Sequence, residues 1–291
     1  MKRIGFVGLG VMGHGIVSNI LKHGHEVICY DIRPEAAEDL VRQGAGVVDS
    51  LEKLGETVDT VYMIVNAYAN CRDVVAGLNK TLRGGVIVNM STISMDDSAR
   101  LQKQVEEAGN RLVDCPVSGG TRGAAAGTLT VMCAAPQDLY EANLEVFKSF
   151  GENIVHVAEE PGKGQALKAV NQLLVGIHMC AAAEAFTMAK RSGLDLQMVY
   201  DTVTKSAGNS RIFENRGQFI IDRDFSTRST LRTQLKDTDI ACKTAEAAGT
   251  PAFLGNVARE LFKLAVGKYP ERDDSIEVIR LYEELSREGE E

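Results

Sequence analysis

The first thirteen residues constrain this chain more than any other stretch of it. Arg3-Ile4-Gly5-Phe6-Val7 is a short apolar run of strand character. Gly8-Leu9-Gly10-Val11-Met12-Gly13 follows directly and opens a helical stretch from about Val11 to His23. A G-x-G-x-x-G between a strand and a helix is the fingerprint of a dinucleotide-binding loop. In that reading Gly8 makes the tight turn, Gly10 lets a pyrophosphate approach the backbone, and Gly13 lets helix and strand pack closely. The helix start at Val11 and Met12 then supplies N–H donors and the positive end of the helix dipole.

Asp31 ends the second apolar run, Glu26-Val27-Ile28-Cys29-Tyr30. A carboxylate there accepts hydrogen bonds from the ribose hydroxyls and repels a 2′-phosphate, which favours NAD over NADP as cofactor. Arg33 opens the NADP alternative if its guanidinium swings onto a 2′-phosphate; otherwise it is a solvated surface charge. His14, in the same loop region, is a further candidate for contact with the pyrophosphate.

The pattern begun by this loop continues to about residue 157. A helix after Pro34 and the runs VDTVYMIV, VIVNM, RLVD, LTVMC and NIVHV, with the helical SARLQKQVEEAG among them, predict a doubly wound, mostly parallel α/β sheet of Rossmann type. The texture changes after Pro161. Gly164 to Arg191 is apolar or small almost throughout and predicts one helix of about 28 residues, ~40 Å long. Lys168, Asn171, Gln172, His178 and Glu184 interrupt it, so a buried helix is favoured over a membrane span. Segments near 195–206, 230–248, 251–267 and 273–288 also read as helices. The expected division is therefore a dinucleotide-binding domain over 1–161 and an all-helical substrate and oligomerisation domain over 162–291.

Composition removes several other function classes. A length of 291 residues accommodates two cores, and a net charge of −8 with no tryptophan lacks the basic, aromatic surface that nucleic-acid binding requires. The glycines and His14 break the N-terminal apolar run, which argues against a signal peptide. Six cysteines, Cys29, Cys71, Cys115, Cys133, Cys180 and Cys242, are spaced too widely for a C-x-x-C site and read as reduced, half-buried thiols of a cytoplasmic protein. His23, His25 and His156 fall at element ends and His178 reads as a core or interface residue. No His, Asp and Glu set has metal-ligand spacing, so no metal is expected.

Two further constellations carry chemistry. In Asp114-Cys115-Pro116-Val117-Ser118-Gly119-Gly120, followed by Gly127-Thr128-Leu129, a hydroxyl beside exposed backbone N–H groups can cradle a carboxylate, or form a plain turn. In Gly162-Lys163-Gly164-Gln165-Ala166-Leu167-Lys168-Ala169-Val170-Asn171-Gln172, Lys168 and Asn171 share a helix face that is otherwise apolar. Such a lysine either snorkels to solvent or is desolvated with a lowered pKa, fit to exchange protons near neutrality.

With Lys236-Asp237, these motifs together resemble the β-hydroxyacid dehydrogenases, the family of 3-hydroxyisobutyrate dehydrogenase and tartronate semialdehyde reductase, over essentially the whole chain and in order. The resemblance implies Lys168 as general acid/base and Asn171 as a substrate ligand, with Ser118, Gly119 and Gly120 holding the substrate carboxylate. It places Thr92, in Ser91-Thr92-Ile93-Ser94, near the nicotinamide, and has Lys236 closing over cofactor and substrate. Family members bind NAD or NADP and often assemble through the long helix, so a homodimer or homotetramer is expected.

Two departures narrow the resemblance. Many members carry Leu-Pro after the fourth strand, where this chain has Val65-Asn66 among the expected cofactor contacts. Ser206-Ala207-Gly208-Asn209-Ser210 and Phe213-Glu214-Asn215-Arg216 add polar groups. The combination is similar to the branch containing L-threonate dehydrogenase and related sugar-acid dehydrogenases of carbohydrate metabolism. A polyhydroxy acid requires more hydrogen-bond partners than hydroxyisobutyrate, which makes Asn209 a candidate substrate ligand; alternatively Asn209 caps the next helix and Asn66 is a turn residue. The leading expectation is hydride transfer between a small hydroxy acid and NAD. An NADP-linked reductase of tartronate or succinate semialdehyde, and a non-catalytic dinucleotide sensor, are the alternatives.

Overall fold

The computed structural model of the chain describes residues 1–226, 229–269 and 274–286. It divides into two compact units, Met1–Lys168 and Ala169–Glu291.

The first unit alternates strand and helix. Its first half comprises β1 (Arg3–Val7), α1 (Val11–Lys22), β2 (Glu26–Tyr30), a 3-10 turn (Pro34–Ala37) leading into α2 (Glu38–Arg42), β3 (Gly46–Val47), α3 (Leu51–Thr57), β4 (Thr60–Met63) and α4 (Tyr68–Leu78). Its second half comprises β5 (Val86–Asn89), α5 (Met95–Glu106), β6 (Arg111–Asp114), β7 (Val117–Ser118), α6 (Gly120–Ala126), β8 (Leu129–Ala134), α7 (Gln137–Phe150) and β9 (Gly151–Ala158). The sheet order is β3-β2-β1-β4-β5-β6-β8-β7, with β9 on β8. Pairing is parallel from β3 across to β6 and again between β8 and β9. Only β8 runs against β6 and β7, so the expected mostly parallel, doubly wound sheet is present.

Strand alternation feeds two separate cores. Ile4, Phe6, Val27, Cys29, Tyr62, Val88 and Val113 meet α1 and α7 through Ile16, Ile20 and Phe147 on one face. Val7, Ile28, Val61, Met63, Ile87 and Leu112 meet α3, α4 and α5 through Leu54, Val75, Leu78, Leu101 and Val105 on the other. A parallel sheet covered on both faces accounts for strands that read as continuous apolar runs. Helix α1 also grips α6. A Cβ on Gly15 would lie 2.9 Å from the Ala124 carbonyl carbon, and Asn19 Nδ2 donates to the carbonyls of Gly15, Ala124 and Ala125 at 2.9, 2.8 and 3.2 Å.

Helix α8 (Lys163–Arg191) has 29 residues and passes through the division between the units. The second unit continues with α9 (Leu196–Val203), α10 (Arg211–Ile221), α11 (Leu231–Ala247), α12 (Phe253–Lys268), a 3-10 turn (Ser275–Val278) and α13 (Ile279–Leu285). Its described elements are all helical, and they enclose a core in which Phe186 stacks on Phe213 at 4.8 Å between ring centres. Asp195, Ser210 and Thr230 cap α9, α10 and α11 by accepting a backbone N–H. Helix α10 falls outside the segments expected to be helical, and only the capping alternative for Asn209 implies a helix there. It buries only Phe213, Gly217 and Ile220, a sparse stripe that the polar residues between them obscure. The expected helix over 273–288 is a 3-10 turn and α13; its ends at 273 and 287–288 lie outside the described residues.

By length and composition α8 could cross a membrane, with mean hydropathy 1.3 over its most apolar window, of which 44% is buried within the chain. The six cysteines are all free, and all are buried rather than half-buried. His156 lies within β9, not at its end.

Candidate active site

The glycine loop occupies the carboxyl end of β1, where the strand order reverses between β2 and β4, the place at which open α/β sheets bind ligands. Its three glycines have different surroundings. Gly8 has φ +93°, and a Cβ there would lie 2.2 Å from the Ile64 carbonyl oxygen; a Cβ on Gly13 would lie 1.8 Å from that of Gly8. A Cβ on Gly10 would meet nothing within 4 Å. The loop is therefore jammed at both ends and open in the middle, and Gly10 stands at the N-cap of α1 with no side chain capping the helix. A pyrophosphate fits that opening, beside the first N–H groups of the helix.

Asp31 does more than end β2. Its side chain is 8% exposed; Oδ2 accepts the Leu9 N–H at 2.7 Å and Oδ1 the Arg33 N–H at 2.9 Å. The carboxylate thus ties down the glycine loop while each oxygen keeps a lone pair for another donor. Arg33 Nε lies 3.8 Å from Asp31 Oδ1. His14 is hydrogen-bonded to Asp39 at 3.0 Å. The loops after β4 and β5 are joined as well: Val65 N–H donates to Ser91 Oγ at 2.9 Å, and Ser91 N–H to Asn89 Oδ1 at 3.1 Å. Asn66 is exposed and Thr92 half-buried beside them.

Ser118 ends β7, and Gly119, with φ +133°, stands at the N-cap of α6 without a side-chain cap. Gly119 is packed against Leu129, whereas a Cβ on Gly120 would meet nothing within 4 Å. The segment is thus a strand end running into a helix start rather than a plain turn, with open backbone at Gly120.

Behind it lies Asp114, fully buried at the end of β6. Asp114 Oδ2 accepts the N–H groups of Gly162 and Gln165 at 2.8 and 3.1 Å, and Oδ1 accepts Gln165 Nε2 at 2.7 Å. Burial pushes this carboxyl up to about 6, against the opposing pull of the hydrogen bonds from Gln165, Gly162 and Gly164. Gln165 Nε2 also donates to the Ser91 carbonyl at 3.0 Å, and its Oε1 accepts the Ile93 N–H at 3.1 Å. One turn further along α8, Lys168 is 6% exposed; it does not snorkel to solvent.

In the second unit a polar chain connects two of the expected substrate residues. Asn171 Nδ2 donates to Gln172 Oε1 at 2.8 Å, Gln172 Nε2 donates to Asp237 Oδ2 at 2.7 Å, and Lys236 Nζ pairs with Asp237 Oδ1 at 3.1 Å. Asn209 does not cap α10; Ser210 does, through Oγ to the Phe213 N–H at 3.0 Å. Asn209 instead donates through Nδ2 to the Thr204 carbonyl at 3.0 Å, and its buried Oδ1 has no partner among the described residues. Sequence reading assigned no role to Asn89, Asp114, Gln165, Gln172 or Asp237. Their common signal is polarity at the end of an apolar strand, or one position away from a motif residue.

An open glycine loop on a doubly wound sheet, followed by an all-helical unit that starts on a shared long helix, defines the class of NAD(P)-linked oxidoreductases. Residues 3–158 match the NAD-binding domain of 6-phosphogluconate dehydrogenase, and residues 162–282 match the NAD-binding domain of NADP-dependent 3-hydroxyisobutyrate dehydrogenase. L-Threonate dehydrogenase of Cupriavidus necator is 30% identical over 99% of this chain and 98% of its own. The 2-(hydroxymethyl)glutarate dehydrogenase of Eubacterium barkeri is 32% identical over 98% and 96%. The crystal structure of a 3-hydroxyisobutyrate dehydrogenase from Salmonella typhimurium superimposes with a TM-score of 0.90 at 33% identity, covering 97% of this chain and all of that one. The chain belongs to the β-hydroxyacid dehydrogenase family and is an NAD(P)-dependent hydroxyacid dehydrogenase.

Proposed function

We propose that the chain oxidises a secondary alcohol of a small polyhydroxy acid, a four-carbon sugar acid such as L-threonate, with NAD as the hydride acceptor. The buried Lys168, one helical turn from the Asp114–Gln165 pair, carries this reading. A lysine withdrawn from solvent can act as the base that takes the hydroxyl proton. When bound, the nicotinamide supplies the redox chemistry. The chain's own residues bind, orient and move the proton. Ser118, Gly119 and Gly120 hold the substrate carboxylate, with the open backbone at Gly120 in support. Asn171 and Lys236, joined through Gln172 and Asp237, bind the substrate, and Lys236 also contacts the cofactor. Gly8, Gly10, Val11, Met12, Gly13, Asp31, Val65, Asn66 and Thr92 form the cofactor side.

Asn209, whose buried Oδ1 has a lone pair to offer, supports a polyhydroxy substrate, as do the names of the threonate-oxidising relatives. Six free, buried thiols fit a reducing cytoplasm. Val170, Leu174 and Met188, exposed along α8, fit a homodimer or homotetramer.

The test is NADH formation at 340 nm across C3 to C5 hydroxy acids, in wild type and Lys168→Ala. Turnover should be highest with a sugar acid and fall ~10²- to 10⁴-fold in the variant, with NADH affinity unchanged. Lys168→Arg should restore little, because a guanidinium does not give up its proton near neutrality. Normal turnover by a folded Lys168→Ala protein would remove Lys168 from the mechanism; a wild type active only on semialdehydes with NADPH would replace the substrate assignment.

A further inference from the structure

Asp114 and Gln165 are fully buried polar groups to which the reaction assigns no step, and they sit where three segments of the first unit meet. The Gln165 amide is engaged through both of its donor hydrogens and through its oxygen. Its two donor hydrogens go to Asp114 Oδ1 and the Ser91 carbonyl, and its oxygen takes the Ile93 N–H. Asp114 uses its other oxygen to accept the N–H groups of Gly162 and Gln165, where α8 begins. A carboxylate from another strand thus supplies the cap that the start of α8 lacks in its own sequence. The Gly162-x-Gly164 spacing serves the same contact. Gly162 has φ +94°, and a Cβ on Gly164 would lie 2.6 Å from the Met132 carbonyl oxygen and 3.0 Å from Asp114 Oδ2.

The arrangement has one hydrogen-bonding solution. A carboxylate only accepts, so the Gln165 amide must turn its nitrogen to Asp114, and its oxygen is then left facing Ile93. Flipping the amide would oppose two acceptors at Asp114 and at Ser91, and leave the Ile93 N–H facing a donor. A single orientation therefore fixes the backbone on both sides of Thr92 and, through the first turn of α8, the position of Lys168. We propose that Asp114 and Gln165 are positioning residues: together they lock the first turn of α8 to the 91–93 loop so that Lys168 and Thr92 are held in register. This rests on the reading of Lys168 as the acid/base.

The test uses the full-length enzyme at saturating NAD, with the hydroxy acid that the wild type turns over best. Gln165→Leu keeps the volume and both backbone bonds of Asp114 but cuts the three side-chain ties. Asp114→Asn replaces an acceptor with a donor where Gln165 already donates. Each should lower kcat ~10- to 100-fold, the effect of a misplacement of about 1 Å, while KM and NADH affinity stay within about twofold. A general loosening would not produce that split.

The proposal is overturned if folded Gln165→Leu has wild-type kcat, or if kcat and NADH affinity fall in step. Should Asp114→Asn not fold, Gln165→Leu decides alone. Lys168→Ala, assayed in parallel, separates the two claims. If it is inactive while Gln165→Leu is normal, the positioning role is lost and the base stands; if it is active, the base itself is lost.

Discussion

Asp31→Ala should do more than weaken a ribose contact: it should loosen the protein before any cofactor is added. The carboxylate is nearly buried and accepts the Leu9 N–H at 2.7 Å and the Arg33 N–H at 2.9 Å. A hydrogen bond to a charged group contributes about 1.5–3 kcal/mol. Residue 33 is largely exposed, so its N–H recovers water when the carboxylate is gone, and its ion pair at 3.8 Å contributes little. The Leu9 bond remains as the main loss, for a total of about 2–3 kcal/mol. For a unit of this size that corresponds to a fall in Tm of about 5–10 °C. Thermal unfolding of the apo protein, wild type against Asp31→Ala, measures it, and hydrogen exchange at Leu9 should accelerate in the variant. Adding NAD should then separate the proteins further, and the preference for NAD over NADP should narrow because a repulsive charge has gone. An apo Tm within about 1 °C of wild type would refute the tie between Asp31 and the loop. A wild type preferring NADP by about tenfold, or 1.4 kcal/mol, would refute the NAD assignment.

Gly13→Ala places a methyl 1.8 Å from the Gly8 carbonyl oxygen, so the loop must open; NADH affinity, followed by fluorescence, should fall by at least about tenfold. Asn209→Ala should lower kcat/KM more for a polyhydroxy acid than for its deoxy analogue, whereas equal losses would assign Asn209 to holding Thr204 alone. Asp114 makes stability depend on pH. Its folded carboxyl is raised to about 6, so between that value and the ordinary carboxylate range the folded state holds a proton that the unfolded state has lost. Stability should therefore rise as pH falls through this window, by up to about 1.4 kcal/mol per pH unit. The Tm difference between wild type and Asp114→Asn, measured from pH 7 to 4.5, should grow in favour of wild type toward acid; a flat difference would contradict it.

The elements most legible in the sequence were those whose cause is local. A glycine run between an apolar strand and a helix has one compact arrangement, and Gly8 and Gly13 show the crowding that enforces it. The 29-residue α8 was visible because no proline or paired glycine breaks it. Helix α10 was hidden because its reason for being helical, contact of Phe213 with Phe186, lies in another element. The polar residues were legible as types but not as partners. Asn209 and Ser210 are adjacent, and either side chain can cap a helix; only the backbone direction at Ser210 decides that it does so. Gln165 sits inside a quoted motif, yet its partners Asp114, Ser91 and Ile93 are 51 to 74 positions away. No spacing rule reaches across that distance.

The grip of α1 on α6 sets a tolerance for redesign. The same rod carries Gly10 at its head and, farther along, Gly15 and Asn19 against Ala124 and Ala125. The heads of the two helices are thereby gauged against each other like the jaws of a caliper. A slip of a single residue along either helix moves its head by about 1.5 Å, more than the ~1 Å that can reduce a hydride transfer a hundredfold. A library built to admit longer acids should therefore leave positions 15, 19 and 124 untouched and draw its diversity from elsewhere. Otherwise each gain in room would be cancelled by a change in reach.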